Sequence, residues 1–120
     1  MAPFDRGLHH ILLEVRDLPA SERFYLGVLG FSLRRREPYR DGRPFLTTEE
    51  GLGLVQAAGE QTGLTGHLAF WVPDLPALVQ AVENAGHRVL RPLGPGPYGP
   101  TAYVADPDGN EVELIGEEAP

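Results

Sequence analysis

Slid against itself by 57 positions, the sequence matches. His10 meets His67, Val15 meets Val72, and Asp17-Leu18-Pro19-Ala20 meets Asp74-Leu75-Pro76-Ala77. Leu33-Arg34 against Leu90-Arg91 extends the agreement at the same offset. Self-similarity at one fixed spacing marks the repetition of a single supersecondary unit. The chain is therefore read as two copies of one unit, module one over about 7–58 and module two over about 64–117.

Both copies have the same local pattern. Residues 10–15 (HILLEV) and 67–72 (HLAFWV) are short, apolar-rich and bounded by turn residues, as strands are. Asp17 and Asp74 then stand where a helix N-cap belongs, each with Pro two residues on, in the first turn. Leu75, Leu78, Val79 and Val82 form an i, i+3, i+4, i+7 stripe that stops at Gly86, and Leu18, Tyr25, Val28 and Leu29 lead to a stop at Gly30. Three strands follow in each copy, over 31–38, 43–48 and 52–57, then 87–92, 101–105 and 111–116, with turns at Asp41-Gly42, Glu50-Gly51 and Asp108-Gly109. The expected fold is α+β: a βαβββ unit used twice, making a curved mixed sheet around a cleft. A short polar connection over 59–66 joins the halves. The segment 92–100 (PLGPGPYGP), which carries Tyr98, reads equally as a rim over a pocket or as a plain stiff connection.

With 120 residues the chain supports one domain and one core. Ten Arg and no Lys against 17 Asp and Glu give a net charge of −7, which repels nucleic acid and anionic membranes alike. The absence of Cys removes disulfides, thiolate metal sites and a Cys nucleophile, and the absence of Lys removes Schiff-base chemistry. Ser21 and Ser32 are the only serines, and neither lies in a nucleophile elbow. No apolar run reaches the length of a membrane span and residues 1–6 hold no signal core, so a cytoplasmic protein is expected. His, Glu, Asp, Tyr and Gln remain to carry chemistry.

Strand parity decides which of them share a surface. If Ile11, Leu13 and Val15 pack under the helices, His10, Leu12 and Glu14 face the other way. In the fifth strand Leu68, Phe70 and Val72 pack, leaving His67, Ala69 and Trp71 outside. In the last, Val112 and Leu114 pack, opposite Glu111 and Glu113. Two imidazoles and one carboxylate, His10, His67 and Glu113, thus project from the concave side. That set holds a divalent metal with coordination positions left open. His9 and His87 lack the repeat and parity support and are read as surface or hydrogen-bonded residues, and Glu111 as a solvated strand-end charge. At the 57-residue offset Gln56 is the counterpart of Glu113. It either supplies an amide oxygen to the metal or lines the cleft.

The runs LHHILLEVRDLPASERFYLGVLGF, GHLAFWVPDL and YVADPDGNEVELI resemble the vicinal oxygen chelate superfamily, which includes glyoxalase I, extradiol dioxygenases, fosfomycin-resistance thiol transferases, methylmalonyl-CoA epimerase and bleomycin-binding proteins. The likeness runs from about Leu8 to Ile115 and implies paired βαβββ modules around a metal cleft. It implies a metal-dependent enzyme, a dioxygenase or a lyase or isomerase, acting on a small molecule that chelates the metal through two neighbouring oxygens. One divalent ion per site, Fe, Mn, Ni or Zn, is expected on His10, His67 and Glu113. Tyr103 would donate a hydrogen bond or proton to the substrate, Gln56 would stand beside the shell, and Leu12, Trp71 and Tyr98 would line the pocket. The bacterial glyoxalase pattern wants a Glu where Gln56 stands. The set His10, Gln56, His67 and Glu113 is similar to that of the epimerase, and His10, His67, Glu113 and Tyr103 to the thiol transferases and extradiol dioxygenases. A metal-free drug- or metabolite-binding protein is the reading from another class. The two halves of one chain could pair with each other, but in the single-domain members it resembles module one more often pairs with module two of a partner, so a homodimer with shared sites is expected.

Overall fold

A computed structural model describes residues 8–59 and 67–117. The expected connection over 59–66 lies outside the described residues except for Gly59, and so do the outermost positions of both modules.

Each module is a four-stranded sheet. Module one holds β1 (Ile11–Val15), β2 (Leu33–Pro38), β3 (Pro44–Thr48) and β4 (Leu52–Gln56), in the order β1-β4-β3-β2. Module two holds β5 (His67–Val72), β6 (Val89–Gly94), β7 (Thr101–Ala105) and β8 (Glu111–Gly116), in the order β5-β8-β7-β6. The first and last strands of each module pair parallel and the others antiparallel. The two four-stranded sheets have the same order and sense, as the repeat demands.

The helices begin as their sequences dictate. Asp17 accepts a hydrogen bond from the Ala20 N–H (3.1 Å) to start α1 (Leu18–Glu22), and Asp74 one from Ala77 (3.2 Å) to start α2 (Leu75–Asn84). At the end of α2 the Gly86 N–H bonds Glu83 O and the His87 N–H bonds Val82 O, with Gly86 at φ +83. This paired closure needs a left-handed residue, which glycine supplies without strain. It also occupies His87, so β6 starts at Val89 rather than 87.

The first helix departs from expectation. After one turn it widens into a π-helical segment, Arg23–Val28, in which Leu29 N–H bonds Phe24 O and Phe31 N–H bonds Tyr25 O. A wider turn rotates successive side chains by less, and Phe24 and Tyr25, adjacent in sequence, are both fully buried. Phe31, expected in a strand, instead packs between Tyr25 and Phe70.

Those aromatics join the halves. Leu13, Val15, Phe24, Tyr25 and Leu54 of module one share one apolar core with Leu68, Val82, Val104, Val112 and Leu114 of module two. Inside that core the Tyr25 hydroxyl donates to Asp106 Oδ2 at 2.8 Å. Asp106 also accepts from the Asp108 and Asn110 backbone N–H groups and from the Asn110 amide, and Asp108 accepts from the Arg16 N–H across the module boundary. Burial first, and then the Asp106 charge, push the Tyr25 phenol well above its ordinary range.

Candidate metal and substrate site

The outward parity of β1 and β5 holds in the structure. His10, Leu12 and Glu14 are exposed beside a buried Leu13 and Val15, and His67, Ala69 and Trp71 are exposed beside a buried Leu68. On module two three of the expected side chains, His67, Glu113 and Tyr103, come together. His67 Nε2 lies 3.0 Å from Glu113 Oε1. Glu113 shares the concave face yet is only 5% exposed, because Tyr103, its cross-strand partner on β7, and His67 both stand against it. The Tyr103 ring meets His67 edge-on at 5.5 Å, and the Arg91 guanidinium lies 5.0 Å over the same ring. Desolvation and then the hydrogen bond to Glu113 raise the Tyr103 hydroxyl above its usual range, so it keeps its proton and serves as a donor.

His10 precedes β1 on module one, its Nδ1 2.8 Å from His9 Nδ1. One of those two nitrogens donates and the other accepts. His9 is thus tied to a candidate ligand rather than standing apart from it, a contact that adjacency in sequence could have suggested. His9, His10 and Glu50 border a cleft of about 270 Å³ between the starts of β1 and β5, with His67 on its other side. Among the described residues, however, no three His, Asp or Glu converge as a metal-binding group within the single chain. The donor set fits a divalent ion in kind: a His beside a buried carboxylate on one module, a second His at the matching position of the other.

The register corrects one assignment. On module two Glu113 pairs with Ala69, two residues after His67; on module one Leu12, two residues after His10, pairs with Gly53. The counterpart of Glu113 is therefore Gly53, and the repeat slips from 57 to 60 residues between the first strands and the last. Gln56 faces elsewhere. Its amide oxygen accepts from the Leu18 N–H at 3.0 Å and its amide nitrogen donates to Arg16 O at 2.5 Å, tying down the β1–α1 turn. Neither a ligand nor a catalytic role is left for it. Gln56→Ala is expected to lower stability by about 1–3 kcal/mol, the cost of unpaired backbone groups, with metal affinity unaltered; thermal unfolding and a metal titration check both.

A sequence model of the Glyoxalase/Bleomycin resistance protein/Dioxygenase superfamily matches residues 7–114. The chain belongs to this superfamily. It is 37% identical to a lactoylglutathione lyase of Haemophilus influenzae, over 88% of this chain and 89% of that one. It is 33% identical to biphenyl-2,3-diol 1,2-dioxygenase 3 of Rhodococcus globerulus, over 89% of this chain and 61% of that one. A glyoxalase/dioxygenase structure from Nostoc punctiforme superposes with a TM-score of 0.76 at 25% identity, covering 99% of this chain and 97% of that one. TnmS3, an antibiotic binding protein of Streptomyces, shares the fold at 0.78 and 23% identity, over 94% of this chain and 97% of that one.

The remaining residues expected at the superfamily's cleft divide. Leu12 (37% exposed) lies on the floor of a larger cleft of about 640 Å³ on module one, with Phe45, Thr47 and Gly53. Gly53 matters there, since a Cβ would meet Leu12 Cδ1 at 3.1 Å and Phe45 Cε1 at 3.4 Å. Trp71 stands 73% exposed on the concave side of β5. Tyr98 is exposed on the proline-rich loop, and that loop rims a separate apolar cleft with Leu75 and Leu93 instead of the one beside His10. The arginines of β2 were not anticipated as part of any site.

Proposed function

We propose that the chain is a divalent-metal-dependent enzyme acting on a small molecule that chelates the metal through two adjacent oxygens. The observation that carries this is the His67–Glu113 pair at 3.0 Å on the concave face, with the Tyr103 ring against it. His67 and Glu113 would hold the ion with His10, and a bound ion would supply Lewis-acid stabilisation of negative charge on the chelated oxygens. Glu113 is kept in place by its burial and by the Tyr103 hydrogen bond. Tyr103 gives its one hydroxyl proton to Glu113 in the free protein and would turn it to a substrate oxygen once Glu113 holds the ion, while Leu12 and Trp71 exclude water from the apolar wall. With Gly53 at the register position that Glu113 holds on module two, module one offers no carboxylate at the matching ligand position. That favours a bare two-His, one-carboxylate site, the arrangement expected of dioxygenase chemistry, over a four-ligand lyase or isomerase.

The reading includes a homodimer in which His10 of one chain joins His67 and Glu113 of the other. Its support is that, among the described residues of one chain, His10 does not join His67 and Glu113 in a three-donor group, together with the exposure of Leu12 and Trp71 on the concave faces. The test has two parts. Elemental analysis of protein purified without added metal, followed by assays with Fe(II), Mn(II), Ni(II) and Zn(II) on catechols, hemithioacetals and fosfomycin, identifies metal and reaction; absence of bound metal and of activity with every ion refutes the enzyme reading. Mixing His10→Ala with His67→Ala chains is expected to restore part of the bound metal, because some mixed dimers rebuild one whole site. No restoration would place the site within a single chain.

A further inference from the structure

The module-one cleft carries an arginine wall that the metal chemistry does not use. Five arginines lie at 34, 35, 36, 40 and 43, and the fold treats them differently. Arg36 turns to the helix side and forms a two-pronged pair with Glu22 of α1, at 2.7 and 2.9 Å. Arg43 is held by Asp41, Glu14 and the Gln56 carbonyl. Arg34, Arg35 and Arg40 instead line the 640 Å³ cleft, beside His10, Leu12 and Phe45. Arg34 and Arg40 make no ion pair among the described residues, and Arg35 reaches Glu37 only at 3.8 Å, both side chains well exposed. Glu37 and Glu49 border the same cleft.

A backbone irregularity aims this wall. Leu33 pairs with Thr48 and Arg35 with the adjacent Thr47, so Arg34 is an extra residue bulged out of β2. Strict alternation would put Arg34 and Arg35 on opposite faces; a bulge re-aims side chains, and here both border one cleft. Module two repeats the device. Val89 pairs with Val104 and Arg91 with Tyr103, leaving Leu90 extra; the register thus matches Arg91 to Arg35 and not to Arg34, as the 57-residue offset had it, and Arg91 lies over the Tyr103 ring. Both modules therefore present a second-strand arginine to the concave side, in a chain whose net charge is −7. β2 stands about 14 Å from β1, three strand spacings across the module-one floor.

We infer that Arg34, Arg35 and Arg40 bind an anionic group of the substrate, a carboxylate or a phosphate, carried by an apolar body that lies over Leu12 and Phe45. The guanidinium fork pairs with either anion through charge-assisted hydrogen bonds. This inference deepens the proposed function by naming the substrate class, and rests on that reading only in placing the substrate in this cleft.

The test uses the full-length protein and two fluorescent probes of similar shape, anionic 8-anilinonaphthalene-1-sulfonate and neutral N-phenyl-1-naphthylamine. In the doubly substituted Arg34→Gln, Arg40→Gln protein the anionic probe is expected to bind about tenfold more weakly, the size of a lost charge-assisted contact, with the neutral probe unchanged. Arg36→Gln, outside the cleft, is expected to change neither, and Arg34→Lys with Arg40→Lys to recover only part of the lost anionic affinity, since the charge returns without the fork. Displacement of the probe by inorganic phosphate or by acetate tells which anion is preferred. Equal weakening of both probes, or of neither, overturns the inference. Metal content read on the same samples separates the two readings: equal response of the two probes with metal retained overturns the arginine wall alone, and selective weakening of the anionic probe in a protein that holds no metal overturns the proposed function alone.

Discussion

His67→Ala is expected to abolish stoichiometric binding of a divalent ion while leaving the fold intact. The side chain is exposed on the concave face and touches Glu113 and Tyr103 rather than the core. Removing it takes away one of three donors, and a site with two retained ligands does not hold an ion at wild-type affinity. An exposed substitution of this kind changes stability by about 0.5 kcal/mol or less. Elemental analysis and calorimetric titration read the first effect, and circular dichroism on heating reads the second. One metal bound per chain at unchanged affinity would show that the site lies elsewhere. Unfolding would show that His67 supports the sheet.

The second large effect is on stability. Asp106→Ala strips the acceptor from the Tyr25 hydroxyl, the Asn110 amide and two backbone N–H groups, in a pocket where Asp106 is 4% exposed. Each donor left unpaired in the core costs about 1–3 kcal/mol. The expected loss is roughly 3–5 kcal/mol, a large part of the 5–15 kcal/mol typical of a domain. In a melting experiment that is a fall of well over about 10 °C. Tyr25→Phe removes only one donor and is expected to cost about 1–2 kcal/mol. The same hydroxyl sets a pH signature. Its folded-state pKa is raised, by burial and then by Asp106 and Asp108, so the native state keeps a proton that the unfolded state releases above about pH 10. Stability from this source is complete below that pH and is lost progressively as pH rises from there toward the raised folded-state value, and Tyr25→Phe should flatten that limb of the denaturation curve. A Tyr25→Phe protein with an unchanged alkaline limb would mean that the hydroxyl does not hold its proton more tightly when folded.

Much of this is legible in the sequence. The repeat and strand parity placed His10, His67 and Glu113 on concave faces because alternation along a strand is a local property, readable from Leu13, Val15, Leu68 and Val112. Both helix starts followed from Asp17 and Asp74 for the same reason. What failed was long-range. The offset of 57 holds only while the two copies keep equal loop lengths, and between the first strands and the last it slips to 60, which moves the counterpart of Glu113 from Gln56 to Gly53. The turn glycines Gly51 and Gly109, 58 apart rather than 57, signal a slip of one residue, but the larger shift lands on a glycine, which offers no side chain to recognise. The bulge at Arg34 and the π-helical turn at Phe24 and Tyr25 were likewise invisible, since each is imposed by packing from another part of the chain. The DPDGN segment, read as a turn at Asp108-Gly109 within a run that carries the family resemblance, is also where Asp106 and Asp108 fasten one half to the other.

That fastening bears on what kind of object the repeat has produced. In a linear array of repeats each unit keeps its own interior and the chain unravels piecemeal from its ends. Here Phe24 and Tyr25 of the first copy finish the interior of the second, with Phe31 against Phe70 and the Phe24 ring 4.8 Å from that of His87. Cut between the copies, either piece would expose a sheet's apolar underside. The doubled sequence therefore behaves as one cooperative body, free to let its two outer faces diverge, one toward the carboxylate and tyrosine, the other toward arginine, because neither face has to hold the molecule together.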